Sequence, residues 1–284
     1  MSVEGVRGGW SPAPAAGAGA APAGARPVPF RGGGFRPGTS RWVGAAVFIC
    51  LILLVEWGTR TGWISNLTLP RPSDVWATLV QLHRTGLLYD HLVPSLTRLA
   101  MGSLLGCLAG IAVGTLVGLF TLARAGLVPL VAAIFPIPKI ALLPLFVIWF
   151  GIGEGSKYAL IALGTFTPMV VATYGAVDNV DRTLVRMGQS FGLPWAQIVW
   201  KIVLPGALPG ILSGLRVSLA IGIILLVAAE MLGATYGIGA YILEAGSLFD
   251  LERLFAGVVI LSLLGVLTSS VIAAIERRVL AWRA

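Results

Sequence analysis

Long apolar segments alternate with short polar ones over most of this sequence, and that alternation limits the fold more than any other feature. A helix needs about 20 predominantly apolar residues to cross the hydrocarbon core of a bilayer. With 57% hydrophobic and only 11% charged residues, the chain has too little polar surface to cover a soluble globule. The sequence therefore predicts an all-α, polytopic membrane protein.

We predict about six transmembrane helices. Their ranges are Trp42–Trp57 with an extension to Ile64, Leu96–Leu122, Leu127–Phe150, Tyr158–Val177, Ile211–Leu232 and Leu254–Ile275. Basic residues are more frequent in the segments that this arrangement leaves inside the cell, which predicts cytoplasmic N- and C-termini. The bias is modest, so an alternative with five spans and the first apolar segment on the membrane surface stays open.

Two segments outside the spans have their own character. Residues 1–41 are rich in glycine, alanine and proline, carry several arginines and have no apolar core. They predict a disordered cytoplasmic tail before a transmembrane domain at 42–284. Between the first two spans, Ser73 as N-cap and Gly86 as stop predict an amphipathic helix along the external surface. Its apolar face would carry Val75, Leu79 and Leu82.

The second span contains glycines at strict four-residue spacing. They are Gly102, Gly106, Gly110, Gly114 and Gly118. In a bilayer, helices associate through close packing, and a stripe of small residues lets two backbones approach each other. We therefore predict that this glycine stripe packs against a neighbouring helix, in the same subunit or in another one.

The third predicted span contains four prolines, which remove backbone donors and kink helices, so we expect a bent segment that lines a cavity. Lys139 lies within it. Its charge either faces the translocation pathway, where it would favour anions, or extends to the cytoplasmic interface. Our candidates for the pathway are Pro136, Pro138, Lys139, Arg216 and Glu230.

The stretch Asp181–Pro209 is a polar interruption between two apolar segments, and its pattern predicts a helix, a turn and a second short helix at the membrane surface. Gly192 would end the first helix in a left-handed conformation, and Pro194 suits the first turn of the second. Leu204-Pro205 would stop the second helix. The apolar positions are Leu184, Met187, Gly188 and Phe191, then Trp195, Ile198, Val199 and Ile202, while Gln197 and Lys201 point elsewhere.

The same stretch resembles the signature loop of bacterial ABC-transporter permeases. Gly192, nine intervening residues and then Ile202-Val203-Leu204-Pro205 match the second half of that motif, G-x9-I-x-L-P. The first half departs, because Arg186-Met187-Gly188 stands where the family commonly has Glu-Ala-Ala. From about Leu69 onward the chain is similar to the permeases of nitrate, sulfonate and taurine importers. The segments that support this are PIPKIALLPLFVIWFGIGEGSK, LPGALPGILSGLR and VAAEMLGATYGIG.

That resemblance implies a bacterial inner-membrane permease for a small anion such as an aliphatic sulfonate, taurine or nitrate. It also implies a second permease copy, an extracytoplasmic binding protein, and two ATPase subunits that hold ATP and Mg²⁺ and dock on the cytoplasmic loops. The residues that it assigns to this ATPase-coupling loop are Arg186, Gly188, Gly192, Pro194, Trp195, Gln197, Ile202, Leu204 and Pro205. Bicarbonate and pyrimidine or other vitamin precursors stay open as alternative substrates.

Other classes fit the residues less well. The net charge of +8 is scattered between apolar segments, with no aromatic-basic patch, so we expect a lipid environment and no nucleic acid. His83 and His91 lie in the predicted external segment, far from any intramembrane nucleophile, and no ATPase motif is present, so the chain itself should be no enzyme and bind no metal or cofactor. FGIGEGSK predicts an external hairpin. A secondary transporter is the remaining alternative, although the sequence has no obvious internal repeat.

Overall fold

The computed structural model describes residues 41–281, and within that range the chain is helical, so the predicted all-α class is confirmed. The predicted tail, residues 1–41, lies outside the described residues except for Arg41, and the predicted domain boundary stays a prediction. By its internal contacts the chain divides into two compact units, with the boundary between Leu51 and Ile52. Within the described range, the first unit contains only the start of α1.

The helices follow one another with short connections. They are α1 (Arg41–Arg60), α2 (Pro72–Thr85), α3 (Leu87–Leu119), α4 (Thr121–Ile134), α5 (Leu143–Phe150), α6 (Glu154–Asp178), α7 (Arg182–Ser190), α8 (Trp195–Ile198), α9 (Leu204–Gly233), α10 (Ile238–Ser247) and α11 (Leu251–Val279). A 3₁₀ turn, Lys139–Leu142, precedes α5, and a π-helical turn, Val199–Val203, joins α8 to α9.

By length and composition, five helical stretches of the described chain can cross a membrane: α1, α3, α6, α8 to α9, and α11. A sixth span results if α4 and the segment Lys139–Phe150 count as one, although they are bent by 90° relative to each other. The predicted number of about six is the upper of these two counts. The bend lies at the break between Ile134 and Lys139, which contains Pro136 and Pro138, so the expected kink is confirmed.

The glycine stripe of α3 lies against α6 of the same chain. A Cβ atom added at Gly106 would lie 2.1 Å from Thr165 Oγ1 and 2.2 Å from the carbonyl oxygen of Ala162. At the other four positions of the stripe, an added Cβ would come within 2.6–2.7 Å of a side-chain atom of α6. Each glycine therefore brings the two backbones closer than any side chain would allow.

Small residues also join α6 to α9. An added Cβ at Gly164 would lie 1.9 Å from Leu225, and one at Gly214 would lie 2.2 Å from Ala172. Buried side chains of α3, α5, α6, α9 and α11 form one apolar cluster, and a second cluster extends along α3, α6, the π turn and α9. The helices α3, α6 and α9 thus form the packed centre of the second unit.

A third apolar cluster joins α2 to α10 and α11, with Val75 and Leu82 buried and Leu79 packed against it. The amphipathic face predicted for α2 is therefore confirmed, as is the stop at Gly86, which has φ +81°. The N-cap prediction was wrong. Arg71 occupies the cap position, with Pro72 in the first turn, while the backbone N–H and the hydroxyl of Ser73 both donate to the Glu56 carboxylate.

The helix α3 begins at Leu87, nine residues before the predicted span. The extra turns contain Asp90, His91 and Ser95, which argue against a lipid environment but not against a helix. Because His91 and Ser95 are buried against α9 and the turn that follows it, tertiary contacts support helix here. His91 thus lies in the first turns of α3, whose 33 residues exceed the about 20 that a span needs, and its predicted external position stays a prediction.

Candidate functional site

The predicted coupling loop begins with a well-capped helix. Asp181 caps α7, with its Oδ1 accepting a hydrogen bond of 2.7 Å from the backbone N–H of Thr183, and this bond lowers the pKa of the Asp181 carboxyl group. At the other end Gly192 has φ +72°, so the predicted left-handed residue is confirmed. The amides of Gly192 and Leu193 donate to the carbonyls of Gln189 and Gly188, which closes the helix end.

The second helix of the loop does not stop at Leu204-Pro205 as predicted. It passes through the π turn directly into α9, so that helix is continuous from Trp195 to Gly233. The N–H of Leu204 donates to the carbonyl of Val199, five residues back, and Pro205 then lies in the first turn of α9. This wider turn accommodates a proline that a regular α-helix would exclude.

The loop has a buried inner face and an exposed outer face. Gly188, Ile198 and Val199 are buried, and a Cβ added at Gly188 would lie 2.8 Å from Ile202. The outer face differs from the prediction, because most of the apolar stripe of α7 lies on it. The exposed apolar side chains are Leu184, Met187, Phe191, Trp195 and Trp200, with Phe191 79% and Trp200 72% exposed.

Basic groups accompany this apolar face, which we call the outer coupling face. Arg186 and Lys201 are exposed, and neither forms an ion pair with the residues that the structure describes. Gln197 also lies on the exposed side, as predicted, while Pro194 directly precedes α8. The ring of Trp195 contacts Phe120 at the end of α3, with the ring centroids 5.5 Å apart. The arrangement can bind a partner surface that is apolar and acidic.

The residues proposed for the pathway do not form one cluster. Pro136 and Pro138 lie in the exposed break after α4, and the ammonium group of Lys139 donates to the carbonyl of Phe135 beside the Phe135 ring. Lys139 thus satisfies a carbonyl at the C-terminal end of α4, where a positive charge is favourable. Arg216 is half exposed and pairs with Glu276 at 2.8 Å.

Glu230, the fifth pathway candidate, is completely buried inside an ion-paired cluster. Its carboxylate accepts hydrogen bonds from Ser95 Oγ at 2.7 Å, Arg98 Nη1 at 2.8 Å and the amide of Gly239 at 2.9 Å. Arg98 in turn donates to both carboxylate oxygens of Glu154, at 2.6 and 2.7 Å. These groups join α3, α6, α9 and the start of α10.

Two further groups complete this buried charge cluster. Lys157 is 4% exposed and lies 3.2 Å from Glu154, whose side chain is 46% exposed at the edge of the cluster. Two cations and two carboxylates therefore balance. Arg98 also donates to the carbonyl of Tyr236 at 2.6 Å. Gly237 has φ +144°, and a Cβ there would lie 2.5 Å from the Glu230 carboxyl carbon, so only glycine fits this turn.

Sequence reasoning missed the buried charge cluster as a unit. Arg98 and Glu230 are 132 positions apart, and Arg98 lies near the start of the predicted span Leu96–Leu122. The available signal was the presence of ionisable residues within otherwise apolar helices, which are costly unless they are paired. Across residues 41–281, no three His, Cys, Asp or Glu side chains converge to form a metal site.

Comparison with known proteins gives a consistent result. The family model of the binding-protein-dependent transport system inner membrane component matches residues 102–281. The taurine transport system permease protein TauC of Escherichia coli (strain K12) is 37% identical over 250 residues, which cover 86% of this chain and 91% of TauC. The putative aliphatic sulfonates transport permease protein SsuC of Bacillus subtilis (strain 168) is 36% identical, covering 87% of this chain and 91% of SsuC.

A solved structure shares the fold. Inward-facing conformations of the MetNI methionine ABC transporter contain a chain that superposes with a TM-score of 0.60 at 24% identity. The superposition covers 68% of this chain and 96% of that one.

Proposed function

Because the chain belongs to the family of binding-protein-dependent transport system inner membrane components, it is a transport permease, and we propose that it imports small organic sulfonates, including taurine, in an ATP-driven complex. The names of TauC and SsuC support this substrate class. The chain contains no phosphate-loop motif G-x4-G-K-[ST], so the proposal assigns ATP and Mg²⁺ to a separate ATPase subunit.

The outer coupling face carries the proposal for the ATPase partner. It combines five exposed apolar side chains with basic groups that form no ion pair among residues 41–281, a combination typical of a protein-binding surface. Each of two permease copies would present one such face to one ATPase subunit. Since Arg186 stands where related loops have a glutamate, the partner surface opposite it should be acidic.

The continuous helix from α8 to α9 suggests how ATP binding is coupled to transport. Closure of the two ATPase subunits would move Trp195 and the rest of α8. Because no loop separates α8 from α9, the displacement would reach the packed centre formed by α3, α6 and α9. Two arrangements of this centre would open the pathway alternately to the outside and the inside, a rigid-body switch.

The proposed topology places the chain in the bacterial inner membrane with both termini in the cytoplasm, where it contacts a second permease copy and lipid. An extracytoplasmic binding protein would deliver the solute to the opposite side from the coupling loop. Cysteine labelling tests this arrangement with Ser190→Cys in α7 and Ser247→Cys in α10, in a chain whose two native cysteines are replaced. A membrane-impermeant reagent should label only Ser247→Cys in intact cells, and labelling of only Ser190→Cys would invert the topology.

Reconstitution of the permease with its ATPase and binding protein in vesicles tests the function. We expect ATP-dependent uptake of taurine and ethanesulfonate, and exclusive uptake of bicarbonate or a pyrimidine precursor would refute the substrate class. Trp200→Asp should abolish co-purification of the ATPase while the chain still inserts in the membrane. Leu248→Asp is a matched control, because Leu248 is an exposed apolar residue at the end of α10. Equal ATPase recovery with both variants would contradict the docking role.

A further inference from the structure

A small pocket with several polar side chains adjoins the buried charge cluster. Its volume is about 260 Å³, and it lies between the start of α3, the helix α10 and the start of α11. The lining side chains that matter here are His91, Thr235, Tyr236, Tyr241, Glu244 and Arg253. Since a water molecule occupies roughly 30 Å³ in the liquid, the pocket has room for a solute of a few heavy atoms together with water.

The hydroxyl group of Tyr241 is a buried polar group that forms no hydrogen bond in the described part of the chain. The side chain is only 5% exposed, and its oxygen is buried without a hydrogen-bond partner among residues 41–281. Buried polar groups in proteins are nearly always hydrogen-bonded, so an exception calls for an explanation. Burial raises the pKa of this phenol to about 12, so the group keeps its proton. Because its oxygen is closed to water in this structure, it can donate to an acceptor in the pocket only after the ring shifts toward the pocket.

His91 contributes a second polar atom to the pocket. Its Nδ1 is held by the backbone of Gly237, 3.1 Å from the amide nitrogen and 3.0 Å from the carbonyl oxygen. Its Nε2 has no hydrogen-bond partner in the described part of the chain. The ring is also held by Tyr236 and Tyr241, with centroid distances of 5.9 and 5.2 Å. The imidazole is therefore fixed in place with one nitrogen left for a ligand.

The pocket also has one charge of each sign. Arg253 is half exposed and uses its Nε on Asp250 at 3.2 Å, which leaves the terminal nitrogens of the guanidinium group for an anion. Glu244 has no ion-pair partner among the described residues. A guanidinium group and a phenol favour an anionic head group, and a free carboxylate favours an ammonium group.

We propose that this pocket binds a small zwitterion, with its sulfonate on Arg253 and Tyr241 and its amino group on Glu244. The inference rests on the proposed function and identifies a second solute site, on the permease itself and apart from the binding protein. The pocket also touches the charge cluster, because Tyr236 accepts from Arg98 and Gly237 holds His91. A bound solute therefore contacts the turn that holds α9 against α3.

Ligand-observed NMR tests the site directly. The probes are taurine and ethanesulfonate, which lacks the amino group, and the sample is the permease–ATPase complex in lipid nanodiscs without binding protein. Tyr241→Phe should weaken both probes about tenfold, because a hydrogen bond to a charged group contributes that much. Glu244→Gln should weaken taurine by a similar factor and leave ethanesulfonate unchanged. Tyr89→Phe and Glu252→Gln, which alter exposed side chains outside the pocket, are the matched controls and should bind as the unsubstituted complex does.

The outcomes separate the two proposals. Tyr241→Phe removes only a hydroxyl group without a partner, so the variant should fold at least as well as the parent. The pocket would be refuted if Tyr241→Phe left the affinity of both probes unchanged. It would also be refuted if the unsubstituted complex bound neither probe but still took up taurine in vesicles. Either result would leave the proposed function standing. Failure of the complete complex to take up either sulfonate would overturn the substrate class and the pocket with it.

Discussion

Replacement of Glu230 by glutamine should destabilise the protein strongly, although the two side chains have nearly the same shape. The carboxylate accepts from Ser95, Arg98 and Gly239, all of which are donors. A glutamine side chain offers a single acceptor oxygen, and its NH₂ group would face at least one of these donors. Arg98 would lose one counterion while it remains buried.

The magnitude follows from this geometry. Removing one partner of a buried ion pair costs about 3–5 kcal/mol. Arg98 keeps both hydrogen bonds to Glu154, so we expect a value near the lower limit, about 3 kcal/mol, which is on the order of a 100-fold change in the unfolding equilibrium.

Equilibrium unfolding in mixed micelles of dodecyl maltoside and sodium dodecyl sulfate measures this difference. Glu252→Gln serves as control, because Glu252 is exposed at the start of α11 and forms no ion pair with the described residues. If Glu230→Gln were as stable as Glu252→Gln, the buried charge cluster would contribute nothing to holding α9 against α3. A double-mutant cycle with Arg98→Gln would then show no coupling.

Three further predictions concern the stripe, the loop and the bend. Gly106→Ala should lower the free energy of unfolding by about 1–3 kcal/mol, because its Cβ would lie 2.1 Å from Thr165. Gly126→Ala, with nothing within 4 Å of the added Cβ, should be neutral in the same assay. Equal stability of these two variants would contradict the close packing. Gly192→Val should abolish solute-stimulated ATP hydrolysis, and Gly192→Asn should retain most of it since asparagine tolerates a left-handed backbone; full activity of the valine variant would falsify the coupling role. Lys139→Gln should reduce vesicle uptake of an anionic solute and Lys139→Glu should reduce it further, while equal uptake by all three proteins would leave Lys139 only as a cap of α4.

Local features of the structure could be predicted from the sequence because neighbouring residues determine them. The left-handed Gly192, the buried face of α2 and the bend around Pro136 all follow from residue type and spacing within a few turns. The close packing of the glycine stripe against a neighbouring helix could be predicted in the same way. Which helix lies against that stripe could not, since the sequence left open whether the partner belonged to the same subunit.

Features that depend on distant residues or on unusual helix geometry could not be predicted. Pro205 is a helix breaker by its chemistry, and only the π turn before it explains why α8 continues into α9. The pairing of Arg98 with Glu154 and Glu230 spans 56 and 132 positions. One sequence shows that these charges are costly in a membrane, but it does not show which ones meet.

The buried charge cluster also constrains how the protein is made. Arg98 leaves the ribosome with α3, long before either of its carboxylate partners exists, and Glu230 follows 132 positions later. At synthesis rates of about 5–20 residues per second, the guanidinium group waits roughly 7 to 26 s for Glu230. During that interval the insertion machinery or the lipid head groups must accommodate an incompletely paired cation within a nascent helix. Assembly of α3 with α9 is therefore a late event in biogenesis, and a chain that ends before Tyr236 would leave that cation without its full set of partners.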